Sequence, residues 1–214
     1  HQKLHEQTTP LPLRPSFNRG KGFAVRTGLL AARGDRRLFT DVDLAYPFEG
    51  VARIDDELRA GADVAIASRE HPDSVTELPP RCLGYAYRRR VQSHVFRAVA
   101  RALLPVPFAD TQAGLKGMTA EVAERIVPKL RCDGFGFDCE FLTACARFGV
   151  PVTEVPVRVR YADAASSTGG VRTMLRMLRE LWHIRRAWPA GIAAPASPRP
   201  VPRFVAPSAL SRAA

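Results

Sequence analysis

Leu38-Phe39-Thr40-Asp41-Val42-Asp43-Leu44 closes a short apolar run with two carboxylates one residue apart. In an extended segment, positions i and i+2 face the same way, so the spacing predicts that Asp41 and Asp43 converge at the tip of a strand. Paired hard oxygens suit Mg²⁺ or Mn²⁺, and a hard cation with open positions suits a diphosphate. Asp-x-Asp also recurs in loops where both carboxylates simply face water. The chain on either side decides between the two.

Downstream, Pro47 opens a helix that stops near Ala60-Gly61, and Asp63-Val-Ala-Ile-Ala-Ser-Arg69 reads as a buried strand with a polar tip. Upstream, Asn18-Arg-Gly-Lys-Gly22 runs into a helix from Phe23 to Arg33, with Val25, Leu29 and Ala32 at helical spacing and Gly34 as the stop. Glycines before a helix let the backbone approach an anion that the helix start attracts, and Lys21 adds a point charge. An ordinary Gly-rich helix start is the other reading of the same residues. Strands that alternate with helices and end in polar residues predict an α/β fold, a mostly parallel sheet flanked by helices with ligands at its carboxyl edge.

The 214 residues are enough for one domain, or one plus an appendage, and a 46% hydrophobic content fits a globular chain. A net charge of +11 favours anionic partners: nucleic acid, acidic lipid headgroups or phosphorylated substrates. No apolar run approaches the roughly 18 residues of a membrane span. Cys82, Cys132, Cys139 and Cys145 form no Cys-x-x-Cys pair and have no His at ligand spacing, so they read as reduced, mostly buried thiols in a cytosolic setting.

Residues 70–80 read as a Pro-bearing loop long enough to act as a lid. A helix over residues 84–104 carries Val91, Val95, Phe96, Val99 and Leu103 on its apolar side. Its Arg88, Arg89, Arg90, Arg97 and Arg101 have no carboxylate among them, so they face something anionic, with nucleic acid one candidate. Asp110-Thr-Gln-Ala-Gly-Leu-Lys-Gly-Met118 is a polar turn entering a short strand, and a helix starts at Thr119. Gly134-Phe-Gly-Phe-Asp138-Cys-Glu140 leads into another helix, whose early carboxylates cap it in the plain reading. Residues 150–161 form a strand, with Pro156 favouring an edge. Val171–Trp188 is an amphipathic helix with Val171, Met174, Leu175, Leu178, Leu181, Trp182 and Trp188 on one side and arginines over the rest. Packing on the domain and lying in a membrane interface both account for it. From Pro189 onward the Pro/Ala-rich tail has no period and reads as disordered.

Four stretches in this order, N-R-G-K-G-F-A-V-R-T-G, D-V-D, D-T-Q-A-G-L-K and G-F-G-F-D-C-E, together resemble family 2 glycosyltransferases of the GT-A fold. Within that family they are most similar to the polyprenyl-phosphate branch, such as dolichyl-phosphate β-glucosyltransferases and dolichol-phosphate mannosyltransferases. The resemblance runs from about residue 18 to 186. It implies a core over 18–168, after a loop or frayed end at 1–17 and before a basic amphipathic helix at 169–188 and a tail at 189–214. It also implies that Asp41 and Asp43 serve the donor ribose and a bridging Mg²⁺ or Mn²⁺, that Arg69 meets donor phosphate, and that Lys21 lies on the donor side. Arg89 and Ser93 match the pair that holds the lipid phosphate, although Arg88 and Arg90 blur the choice. Gln112 joins them on the acceptor side, where Asp110, Asp138 and Glu140 are the catalytic candidates.

The pattern departs from the family in two instructive ways. The opening P-x-Y-N-E and D-D-G-S strands, which serve the nucleotide, are missing, which leads to the expectation of the C-terminal part of a longer protein. The usual Ser-Lys after the last strand is Ser167-Thr168, leaving one phosphate contact without its lysine. The implied partners are a nucleotide sugar (UDP-glucose or GDP-mannose), a polyprenyl phosphate and a membrane surface, without nucleic acid. The implied location is cytoplasmic, peripheral at the inner face of the membrane. A sugar hydroxyl needs a carboxylate base to attack, whereas a lipid phosphate is already anionic and needs cations to offset repulsion. The resemblance implies transfer with inversion at the anomeric carbon, and the arginine density favours a lipid phosphate as the acceptor. A hydroxyl acceptor, an inactive fragment and a basic nucleic-acid-binding module are the rival readings.

Overall fold

The computed structural model describes residue 13 and residues 17–77, 94–104, 106, 108–160 and 171–189. In chain order these form α1 (Lys21–Ala31), β1 (Arg36–Thr40), α2 (Phe48–Arg59), β2 (Val64–Ser68), β3 (Val75–Glu77) and a helix α3 over residues 94–103. There follow β4 (Leu115–Thr119), α4 (Ala120–Ile126) running into a 3₁₀ turn (Val127–Lys129), α5 (Phe137–Arg147), β5 (Val152–Pro156), β6 (Arg158–Arg160) and α6 (Val171–Ala187). Cys82, Arg88, Arg89, Arg90, Ser93 and the expected tail beyond 189 lie outside the described residues.

Val64-Ala-Ile-Ala-Ser68 is buried along its whole length, and its alternation shows why. Ala65 and Ala67 face α2, where Ile54 and Leu58 approach closely together with Leu115, Val155 and Val157. Val64 and Ile66 face the opposite way, into a larger core with Met118, Phe137, Phe141 and Leu142. Small residues on one side and branched ones on the other let a single strand serve both layers. Gly117 continues the pattern on β4, since a Cβ there would come within 2.5 Å of the Ile54 side chain.

The sheet is mixed, which corrects the expected mostly parallel arrangement. Its order is β1-β4-β2-β5, with β4 antiparallel to both β1 and β2 and only β2–β5 paired in parallel. Pro156 ends β5 at the sheet edge, where a missing N–H costs no ladder bond. The segment read as a lid contains β3, which pairs in parallel with β6 in a separate two-stranded sheet. That partner lies about eighty residues away, so no local pattern announces the strand.

Helix limits shift for physical reasons too. α1 begins at Lys21, because Gly20 at φ 114 supplies a backbone turn that other residues rarely adopt, and it ends when Ala32 turns extended rather than at Gly34. Thr119 caps α4 by accepting from the Val122 N–H. α6 docks through Met174, Met177, Leu178, Leu181, Ile184 and Trp188. Leu175 and Trp182, expected on that same side, are instead 61% and 49% exposed.

Ile54 is fully buried between α2 and the small-residue face of the sheet. Ile54→Ala should lower unfolding free energy by about 2–5 kcal/mol, read as a lower urea midpoint with an unchanged slope.

Candidate functional site

Because β1, β2 and β5 run one way and β4 runs against them, the residues after β1 and β2 meet the residues before β4 at one edge. Two contacts pin that meeting. The Asp41 N–H donates to the Gly114 carbonyl at 2.8 Å. Arg69 grips Asp110 through Nε at 2.6 Å and a terminal guanidinium nitrogen at 2.9 Å, while its backbone N–H donates to the same carboxylate at 3.0 Å. The antiparallel strand thus brings D-T-Q-A-G onto the edge that D-V-D and Ser68-Arg69 occupy.

Asp41 and Asp43 lie in a turn, not in the extended segment expected of them. β1 stops at Thr40, the Leu44 N–H donates to the Asp41 carbonyl at 3.2 Å, and Leu44 sits in the left-handed region at φ 48. Asp43 supports that conformation by accepting from the Ala45 N–H, and its side chain stays exposed. Asp41 faces inward: one oxygen is 2.8 Å from Lys21 Nζ, and its carboxylate lies so close over Gly114 that a Cβ there would collide with it.

Behind Asp41 lies a buried ion cluster. Asp138, from the first turn of α5, takes Lys21 Nζ on one oxygen at 2.8 Å and Lys116 Nζ on the other at 2.7 Å. Lys116 also donates to the Ala113 carbonyl and lies 5.9 Å over the Phe39 ring. Burial alone would raise the Asp138 pKa, but the two ammonium groups hold it below the usual carboxylate range. Lys21 is raised for the reciprocal reason, since Asp138 and Asp41 outweigh its burial. Lys116 went unassigned in the sequence because a lysine between Leu115 and Gly117 looks like the wet face of a strand. Its signal was the doubly buried strand beside it, which leaves no wet face.

The other expected site residues are engaged as well. Burial works against the Asp110 charge, yet the Arg69 hydrogen bonds and charge bring its pKa down to about 2. One Glu140 oxygen accepts from the Arg131 and Cys132 N–H groups and the other from Trp188 Nε1, so this residue ties α5 to the preceding loop and to the end of α6. Gln112 donates to Cys139 Sγ at 3.1 Å. Asp110, Asp138 and Glu140, the expected catalytic carboxylates, are therefore each bonded to cations or to backbone and indole N–H groups. The Cys139 thiol is pushed up to about 11 chiefly by burial, which makes it an inert packing group.

At the α1 start the backbone offers an anion fewer free donors than its glycines suggest. The Gly22 and Phe23 N–H groups donate to the carbonyls of Gly134 and Asp133 at 3.2 and 3.3 Å, so the donors an anion would need are occupied. On α3, Arg97 pairs with Glu70 and Arg101 donates to the Ala109 carbonyl, which accounts for those two arginines within the fold.

Among the described residues no three His, Cys, Asp or Glu side chains gather into a cluster that would hold a metal. The carboxylates expected to hold a metal are Asp41, partly exposed and bonded to Lys21, and Asp43, exposed on the turn, both hard oxygen donors. That fits Mg²⁺ or Mn²⁺, which keep water and phosphate ligands, and does not fit a closed zinc site.

Comparison with known proteins identifies relatives of this arrangement. Residues 11–127 match glycosyl transferase family 2. A dolichyl-phosphate beta-glucosyltransferase of Dictyostelium discoideum is 29% identical over 184 residues, covering 84% of this chain and 55% of that protein. One of Saccharomyces cerevisiae is 30% identical over 193 residues, covering 83% and 55%. Glucosyl-3-phosphoglycerate synthase from Mycobacterium tuberculosis, solved in complex with uridine-diphosphate, superposes with a TM-score of 0.55 at 18% identity, covering 81% of this chain and 56% of that one. That likeness establishes a GT-A-like α/β fold. The chain spans about half the length of the relatives it matches.

With a folded pKa near 2 against an ordinary 3.8, Asp110 stabilises the fold fully above about pH 4, and that contribution is lost as pH falls towards 2. Wild type should lose more stability between about pH 4 and 2 than Asp110→Asn, measured by urea unfolding across pH. At neutral pH the variant should be weaker by less than the ~3–5 kcal/mol of a fully buried broken pair, because Arg69 is partly exposed.

Proposed function

The chain belongs to glycosyl transferase family 2, and from that premise we propose that the protein carrying it transfers a sugar from a nucleotide diphosphate to a polyprenyl phosphate with inversion at the anomeric carbon. One observation carries the choice of acceptor. Asp110, Asp138 and Glu140 are buried and committed to Arg69, to two lysines and to backbone and indole N–H groups, so none of them stands ready as a base. A sugar hydroxyl would need such a base, whereas a phosphate monoester arrives as an anion.

In this reading a phosphate oxygen of the lipid attacks the anomeric carbon from the face opposite the diphosphate. The new C–O bond forms as the old one breaks, and the nucleoside diphosphate leaves with the electron pair. Asp43 and Asp41 would hold Mg²⁺ or Mn²⁺, which supplies charge neutralisation on the leaving diphosphate. Arg69 lies at the same edge of the sheet and serves the donor phosphates, with Asp110 fixing it, while Lys21 stands on the donor side behind Asp41. Gln112 lies on the acceptor side, and Arg89 and Ser93, outside the described residues, take the lipid phosphate. The names of the two dolichyl-phosphate relatives favour a glucose donor over a mannose donor.

The lipid sets the location as well. No described helix is long and apolar enough to cross a membrane. α6 nonetheless leaves Leu175 and Trp182 exposed, with the Arg186 guanidinium 4.6 Å from the Trp182 ring. An indole beside a guanidinium suits the headgroup boundary, which supports peripheral membrane binding, and the cytoplasmic face is our assignment for it.

The test is transfer by the intact protein from UDP-glucose or GDP-mannose to polyprenyl phosphate, with and without Mn²⁺. Expected are metal-dependent nucleoside diphosphate release, a glycosylated lipid phosphate of inverted configuration, and a loss of about 100-fold or more in kcat/KM for Asp43→Asn. Equal use of the unphosphorylated polyprenol, or transfer to a free sugar instead, would refute the acceptor assignment.

A further inference from the structure

Four charges form an unbroken alternating line from the core to the site edge: Lys116, Asp138, Lys21 and Asp41. They come from four separate elements, β4, α5, α1 and the turn after β1. Side-chain exposure grows along the line, 0% at Lys116, 1% at Asp138, 15% at Lys21 and 34% at Asp41. Each link is 2.7 or 2.8 Å.

Stability does not explain this line. Buried ion pairs give little net stability relative to apolar residues of the same volume, and Lys116 lies 5.9 Å over the Phe39 ring beside the apolar core. What ions give that apolar side chains cannot is a fixed place for charge. Lys116 occupies one Asp138 oxygen, so Lys21 can reach only the other. Held there, the Lys21 ammonium takes one oxygen of Asp41. Gly114, which has no side chain, leaves room for the rest of that carboxylate to lie flat against the backbone. The line behind Asp41 thus ends three residues deeper, at a lysine with no exposed side-chain surface.

We propose that Lys116 and Asp138 are positioning residues, which through Lys21 orient the Asp41 carboxylate for the divalent cation of the donor complex. This rests on the metal-assisted transfer proposed above and assigns Lys116 a role that its burial would otherwise hide. Such supporting contacts behind metal ligands are typically worth about 10–100-fold in metal affinity.

The test uses the intact protein and three variants, Lys116→Met, Asp138→Asn and the double variant Lys116→Met with Asp138→Leu, which replaces the inner ion pair with apolar bulk. The readouts are thermal midpoint, Mn²⁺ affinity by electron paramagnetic resonance in the absence and presence of UDP, and kcat against KM. Both single variants should bind Mn²⁺ about tenfold or more weakly. The double variant should recover much of the thermal stability while Mn²⁺ affinity and kcat stay low, because Lys21 no longer has a fixed place. Recovery of Mn²⁺ affinity together with stability would make the line merely structural and overturn the proposal. So would absence of Mn²⁺ binding by the wild type under either condition. Should wild type bind Mn²⁺ and the variants weaken it while polyprenyl phosphate is not a substrate, the acceptor assignment falls and the positioning role stands.

Discussion

One strand running against its neighbours organises this molecule. β4 lies between β1 and β2 and antiparallel to both, so the loop that leads into it arrives at the edge where the other two strands finish. Sequence segments some forty to seventy residues apart are thereby joined by the Asp41–Gly114 backbone bond and the Arg69–Asp110 pair. A wholly parallel sheet would have placed Asp110–Gly114 at the opposite rim. The polar groups there would then have had neither the carboxylates nor the guanidinium that now satisfy them.

Charge is handled economically inside this frame. The chain is strongly basic, yet the acids that are buried are each matched to a cation or to backbone donors. Asp110 is matched by Arg69, Asp138 by two lysines, and Glu140 by two N–H groups and an indole. An unmatched interior carboxylate would have been driven to its neutral form by desolvation. The exposed carboxylate of Asp43 is the contrast. It lies on a turn whose Leu44 holds a left-handed backbone, a conformation that persists where surrounding contacts enforce it and that recurs at functional sites.

The sequence showed the alternation of elements because β2, α2 and the start of α5 bury regular patterns that local spacing reveals. It concealed what depends on distant partners. β3 has no partner until β6, and the direction of β4 is not written in Leu115-Lys-Gly-Met-Thr119 itself. A hint did exist: D-V-D and Ser68-Arg69 follow their strands, whereas D-T-Q-A-G precedes its own, so the three can meet only if that strand is reversed. The resemblance supplied Asp41, Asp110, Asp138 and Glu140 as a set, but which of them face a ligand and which hold the frame is a matter of burial. Lys116 shows the difficulty most plainly, since its meaning comes from a carboxylate 22 positions later. For the start of α1, glycine and lysine content suggested anion binding, and only the carbonyls of Asp133 and Gly134 show that the donors are taken.

The loop at residues 132–136 couples the start of α1 to α6. Its carbonyls cap α1, yet its own Gly136 N–H is satisfied by Glu180 of α6, 44 residues further along the chain, and that same carboxylate lies directly against Gly134. The first turn that presents Lys21 is thus held, through this loop, by a helix that contributes no ligand to the site.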